Sequence, residues 1–146
     1  MTIRDCRIIK LPKISDPRGN LSFIEGDRHI PFEIKRTFYM YDIVQNEERG
    51  GHAHNKLEQF LVAMSGKFNV VLDDGFQKKS FTLDNPHTGL YMPPLTWCNL
   101  NEFSAGAVCM TLASDYYDEA DYYRDYDEFL AVVKKGANNN NADTIS

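Results

Sequence analysis

His52 and His54 stand two apart in the run Arg49-Gly50-Gly51-His52-Ala53-His54. In an extended strand, side chains at i and i+2 leave the same face. The spacing therefore aims two imidazoles into one space. Such a pair binds a transition metal when a carboxylate or a further imidazole completes the set. Without a metal it moves protons near neutrality, where an unperturbed imidazole titrates. Two ordinary core histidines are the third reading, one that leaves paired imidazoles costly to satisfy. The neighbouring residues weigh against the metal. Gln59 stands where a metal site wants an anionic carboxylate, unless a one-residue shift brings in Glu58. Only His52, His54 and Cys98 would then remain as ligands. The expectation is metal-free general acid–base chemistry at His52 and His54, with no cofactor.

The elements that must position this pair read as short strands. Apolar residues 59–64 follow the histidines and end at Ser65-Gly66, which reads as a hairpin turn. Asp73-Asp74-Gly75 is a stronger hairpin signal, between Phe68–Leu72 and Lys79–Leu83. Strands are also expected over Cys6–Leu11, after the Asp16–Asn20 turn, and over Ile34–Ile43, Leu90–Met92, Thr96–Leu100 and Ala107–Ser114. Many short strands separated by turn signals predict an all-β sandwich or barrel. The spacing of His52, His54, Gln59 and Gly66 is close to the first signature of the cupin barrel. In the second signature, Leu95 and Cys98 stand where a glycine and a histidine are usual. The expected fold is a cupin-type jelly-roll barrel, one domain over residues 1–136.

Only the C-terminal part looks helical. Tyr122, Tyr126, Phe129 and Val133 recur on one face of a short helix. Asp118, Glu119 and Asp121 would sit at its N-terminus, and Lys134, Lys135 and Gly136 at its end. Residues 137–146, with four consecutive asparagines, are expected to be a disordered tail.

Charge and composition narrow the function. The net charge is −5 and no basic stripe occurs, so a nucleic-acid partner is not expected. No apolar run is long enough to span a membrane, and the first residues carry no signal-peptide pattern. Cys6, Cys98 and Cys109 lack paired spacing, which fits a cytoplasmic protein. An anionic metabolite is still within reach of local cations. Arg18, Arg36 and Arg49 are the candidate phosphate contacts. Trp97 is a candidate stacking wall or core residue, and Cys98 a site thiol or small buried hydrophobe.

Several stretches together resemble a known family. They are Asp16-Pro17-Arg18-Gly19-Asn20-Leu21, residues 30–36, Arg49–Gln59 with its His-Ala-His, Val71–Gly75, Gly89-Leu90-Tyr91 and Leu112–Tyr122 with its Ala-Ser-Asp-Tyr-Tyr-Asp-Glu. The chain resembles the sugar 3,4-ketoisomerases that act on dTDP-4-keto-6-deoxyglucose, over roughly residues 8–130. The resemblance implies a metal-free homodimeric jelly-roll cupin. It implies a catalytic pair matching His52 and His54, with Tyr39 of the preceding strand nearby. It also implies a 3-keto product for a PLP aminotransferase, within deoxyamino sugar and polysaccharide biosynthesis. Relatives often carry a histidine directly after the tryptophan, where this chain has Cys98. On this reading His54 acts at carbon and His52 between oxygens, the reverse order staying open. Tyr39 steadies the oxyanion, and Arg18, Arg36, Arg49, Gln59, Trp97 and Cys98 contact substrate. The rivals are 3,5-epimerisation of the same nucleotide sugar and a binding module without catalysis.

Overall fold

The structure, a computed structural model, describes residues 3–145, with side chains as far as residue 138. Two five-stranded antiparallel sheets face one another. The first is ordered β1 (Arg7–Lys10), β9 (Thr88–Met92), β6 (Gln59–Ser65), β11 (Val108–Ala113), β4 (Arg36–Met40). The second is ordered β12 (Tyr122–Tyr123), β5 (Arg49–His54), β10 (Trp97–Asn101), β7 (Phe68–Asp73), β8 (Lys78–Leu83). β2 (Lys13–Asp16) and β3 (Gly19–Ser22) form a separate hairpin. The expected jelly roll is present as a sandwich. The two sheets share no hydrogen-bonded edge, so they are not closed into a barrel.

Strand alternation sorts the side chains into three apolar clusters. Between the sheets, Leu61 and Ala63 of β6 meet Phe68, Val70 and Leu72 of β7 and Cys98 and Leu100 of β10. Outside the first sheet, Phe60, Val62, Tyr91 and Leu112 pack under Ile30 and Phe32. Outside the second, Ala53 and Trp97 pack under Phe129 of α1 (Tyr126–Ile145). Each sheet thus buries both faces in part, which explains why β6 reads as a near-continuous apolar run rather than an alternating one.

Two local expectations change. Ser65-Gly66 does not close a hairpin: β6 pairs with β9 and β11, whereas β7 pairs with β8 and β10. The turn carries the chain from one sheet to the other, a crossing that local turn chemistry cannot distinguish from a hairpin. Asp73-Asp74-Gly75 does close β7 onto β8.

The helix also starts later than its apolar period suggests. Asp118 caps a single 3-10 turn at Glu119–Asp121, its Oδ1 accepting the Ala120 N–H at 3.0 Å. Tyr122 and Tyr123 then pair with His54 and Ala53 of β5. A second acid, Asp125, accepts the Glu128 N–H at 3.0 Å and opens α1. The backbone helix runs on to Ile145 through most of the expected tail. Side chains beyond residue 138, and Ser146, lie outside the described residues.

Candidate active site

β5 builds the site. Its odd neighbour Ala53 is buried under α1, so His52 and His54 turn inward, their ring centroids 5.2 Å apart. Gly50 lets β5 run close to β10. Its φ is +91°, and a Cβ there would lie 2.7 Å from the Cys98 carbonyl oxygen. The same β5–β10 ladder sets Cys98 directly across from His52.

Three other strands complete the interior. β6 brings Gln59, buried, with Nε2 placed 3.4 Å from Nε2 of His54. Glu58 belongs to the opposite face, where Oε1 accepts the Tyr91 hydroxyl at 2.6 Å. The one-residue shift is therefore ruled out. β4 turns Arg36 and Phe38 inward, and the Nε of Arg36 is buried with no hydrogen-bond partner. β12 sets the Tyr122 ring 4.2 Å from His54 and 5.1 Å from His52.

Behind this wall stands a clamp of charges. The guanidinium of Arg124 lies 4.2 Å from the Tyr122 ring centre. Its Nε and Nη2 donate to Glu119 at 2.6 and 2.9 Å, and Glu119 also accepts the Tyr117 hydroxyl. Asp121 sits beside His54, Oδ2 lying 3.3 Å from Nδ1, a contact that falls short of a well-formed hydrogen bond. The carboxylate is fixed from the turn after β5, accepting the N–H groups of Lys56 at 2.9 Å and Leu57 at 3.2 Å.

These surroundings keep both imidazoles neutral. Burial depresses the pKa of His54 from 6.5 to about 4, helped by the neighbouring His52 and opposed by Asp121. Burial also lowers that of His52, with the Arg124 charge adding to it. Both are therefore free bases at neutral pH, as proton acceptors must be.

Two cavities flank the pair. The larger, about 430 Å³, is lined by His52, Gln59, Phe38, Arg49, Cys98 and Arg124. The smaller, about 200 Å³, is lined by His54, Tyr122, Arg36, Asp121, Lys56 and Asp115 among others.

The remaining candidates fall out as follows. Tyr39 borders the larger cavity, but its side chain is on the outer face of β4, 62% exposed and packed 5.8 Å from Tyr41. Strand alternation gives the interior to its neighbours Phe38 and Met40 instead. Trp97 faces outward under α1, its ring centroid 5.7 Å from that of Phe129 and 5.3 Å, edge to face, from that of Tyr126, and is a core residue. Arg18 lies at the tip of the β2–β3 hairpin, its side chain 91% exposed and paired with Asp16 at 2.8 Å, and it lines neither cavity. Arg49 and Cys98 do line the larger cavity. Burial pushes the Cys98 thiol far up, so it stays protonated among apolar neighbours.

A metal does not suit this donor set. Gln59 is neutral, Cys98 holds its proton, and among the described residues no cluster of three or more His, Cys, Asp or Glu side chains is arranged to hold an ion.

Asp121, Tyr122 and Arg124 are the residues that the periodicity misassigned to a helix. Their signal was present in the Asp/Tyr-rich stretch leading to Tyr122, which the helix-dipole reading absorbed.

Comparisons with known proteins bear on the chain as a whole. A family model described as "FdtA: WxcM-like, C-terminal" matches residues 4–134. The chain is 49% identical over 129 residues to the TDP-4-oxo-6-deoxy-alpha-D-glucose-3,4-oxoisomerase of Aneurinibacillus thermoaerophilus, covering 88% of this chain and 93% of that one. Among solved structures, a 3,4-ketoisomerase from Helicobacter canadensis superposes with a TM-score of 0.87 at 45% identity, covering 89% and 98%. A histidine-to-asparagine mutant of the 3,4-ketoisomerase QdtA from Thermoanaerobacterium thermosaccharolyticum, in complex with TDP-4-keto-6-deoxyglucose, superposes with a TM-score of 0.87 at 39% identity, covering 90% and 95%.

Proposed function

The chain belongs to the FdtA, WxcM-like family, and from that premise we propose that it is a sugar 3,4-ketoisomerase, moving the carbonyl of TDP-4-keto-6-deoxyglucose from C4 to C3. The observation that carries this reading is a neutral imidazole pair on one strand face, opening on a cavity, in a chain so similar to a 3,4-oxoisomerase.

The chemistry follows from the geometry. A histidine removes the C3 proton beside the carbonyl, an enediolate forms, and a proton returns at C4. A second proton passes between O3 and O4. His52 lines the larger cavity and His54 is shut away beside Asp121. The carbon base is therefore His52, the reverse of the assignment preferred from sequence, with His54 its buried partner. Arg36, its Nε buried without a hydrogen-bond partner beside His54 and Tyr122 at the smaller cavity, acts by its charge on His54. Arg49 and Arg124 at the larger cavity face the diphosphate.

Epimerisation at C3 and C5 fits less well, because it needs groups on opposite faces of the ring, whereas both imidazoles here leave one face of one strand. Incubation with TDP-4-keto-6-deoxyglucose, followed by NMR, tests the reading. A 3-keto product is expected. A C5-inverted 4-keto sugar, or binding without change, overturns it.

The working form is a homodimer. Every residue of β2 and β3 is exposed, and a lone two-stranded hairpin is marginal in water. Beside it runs a groove of about 820 Å³ lined by Leu11, Phe23, Ile34, Val62, Met110 and Leu112. A second copy, carrying the same hairpin and the same groove, covers both at once. Three free, buried cysteines are in keeping with a reducing cytoplasm, and a 3-keto product suits an aminotransferase of deoxyamino sugar and polysaccharide biosynthesis.

A further inference from the structure

Asp121, His54 and Gln59 form a line from the 3-10 turn before β12 to the larger cavity, and each step of it constrains where a proton sits. Asp121 accepts two backbone N–H groups, from Lys56 and Leu57, so its oxygens act as acceptors. Nδ1 of His54 lies 3.3 Å from Oδ2 with no other partner, so the carboxylate favours the imidazole proton on that nitrogen, by charge rather than through a well-formed hydrogen bond. A neutral imidazole with its proton on Nδ1 has a bare lone pair on Nε2. Gln59 meets that lone pair at 3.4 Å with its amide. Only the NH2 end of the amide satisfies it; the oxygen end would set two lone pairs against each other. The carbonyl end of Gln59 is then the end left for the larger cavity, which this residue lines.

We propose that Asp121 is a positioning residue that acts through His54 to fix the amide of Gln59, so that Gln59 presents its Oε1 to the substrate and accepts a hydrogen bond from a sugar hydroxyl. The identity of the hydroxyl's bearer rests on the ketoisomerase reading; the direction of the hydrogen bonds does not. The line explains why a glutamine serves where the cupin pattern has a glutamate. A carboxylate at residue 59 would be a second acceptor and would draw a second proton onto His54. The resulting imidazolium would sit beside the proton-accepting His52. An amide gives a donor to one side and an acceptor to the other.

The arrangement is read directly by 15N NMR of histidine-labelled, substrate-free protein at neutral pH. His54 is expected to carry its proton on Nδ1 with Nε2 bare. In Gln59→Glu, His54 becomes protonated on both nitrogens. In Asp121→Asn the proton moves to Nε2, and kcat falls by about 100-fold or more, as for an imidazole held in the wrong tautomer. Gln59→Leu raises KM about tenfold, the worth of one hydrogen bond to substrate. A wild-type His54 protonated on Nε2, or a tautomer indifferent to Asp121→Asn and Gln59→Glu, overturns the proposal. If Asp121→Asn fails to fold, the wild-type tautomer and Gln59→Glu still decide it. A protein with the expected tautomer that leaves the keto sugar unchanged instead counts against the ketoisomerase reading alone.

Discussion

At the scale of residues, the two histidines are chemically alike and differ only in their surroundings. His52 looks into the larger cavity; His54 is 5% exposed, wedged between Tyr122, Asp121 and Gln59. His52→Asn is expected to lower turnover by at least about 100-fold while leaving nucleotide-sugar affinity within about tenfold. It should also abolish wash-in of solvent deuterium at C3. Exchange at a wild-type rate would return the carbon chemistry to His54. Both imidazoles have depressed pKa values, so kcat/KM should hold its plateau to below pH 6.5 before its acid limb falls. The same shift links to stability. The unfolded chain binds protons at these histidines near pH 6.5, the folded one binds at His54 only near pH 4. Unfolding therefore takes up protons in that window, and stability falls as the pH drops from 6.5 toward 4. Denaturant midpoints across this range check the sign.

Among the elements, β12 and α1 do more for the site than their length suggests. β12 is two residues long, yet it carries Tyr122 against both imidazoles and ends beside Arg124. α1 pins it there. Phe129 is fully buried against Trp97 and Ala53, and the Tyr126 hydroxyl donates to Asp73 at the end of β7. Ala53 is the residue between the two histidines, so the packing of α1 bears on the back of the histidine-bearing strand. Phe129→Ala is expected to cost about 3–5 kcal/mol of stability, read as a lowered denaturant midpoint. Turnover of the folded fraction should fall with it, since the wall behind the imidazoles loosens. A stable variant with full activity would mean that α1 packs independently of the site.

For the whole molecule, the sandwich leaves two kinds of surface. One opens on the cavity at His52; the other comprises the β2–β3 hairpin and the outer face of β4, where Ile14, Leu21 and Tyr39 are each more than half exposed. Light scattering at micromolar concentration should give twice the 16.8 kDa chain mass. A species of one chain mass would leave the β2–β3 hairpin without a partner and refute the dimer. No cluster of ligands among the described residues suits an ion, so chelator should leave turnover unchanged and elemental analysis should find well under one equivalent of transition metal. Activity lost to chelator and restored by one metal would bring back the His52, His54, Cys98 set.

What the sequence determined by itself is what local geometry dictates. The i, i+2 spacing of His52 and His54 put both on one face, Asp73-Asp74-Gly75 closed its hairpin, and Phe129 and Val133 marked the buried side of α1. Each depends on backbone periods and turn preferences that act over a few residues. The tertiary structure decided what depends on partners distant in the chain. Ser65-Gly66 became a crossing between sheets because β6 and β7 found different neighbours. Tyr39 was turned outward by its register with Met110, while Tyr122 was drawn out of a helical pattern by pairing with His54. Asp121 looked like a helix-dipole anion and became the neighbour of His54, 67 positions back, because β12 lies along the edge of β5. The edge pairing brings the two segments together after other strands have intervened, and no periodicity within either segment encodes it.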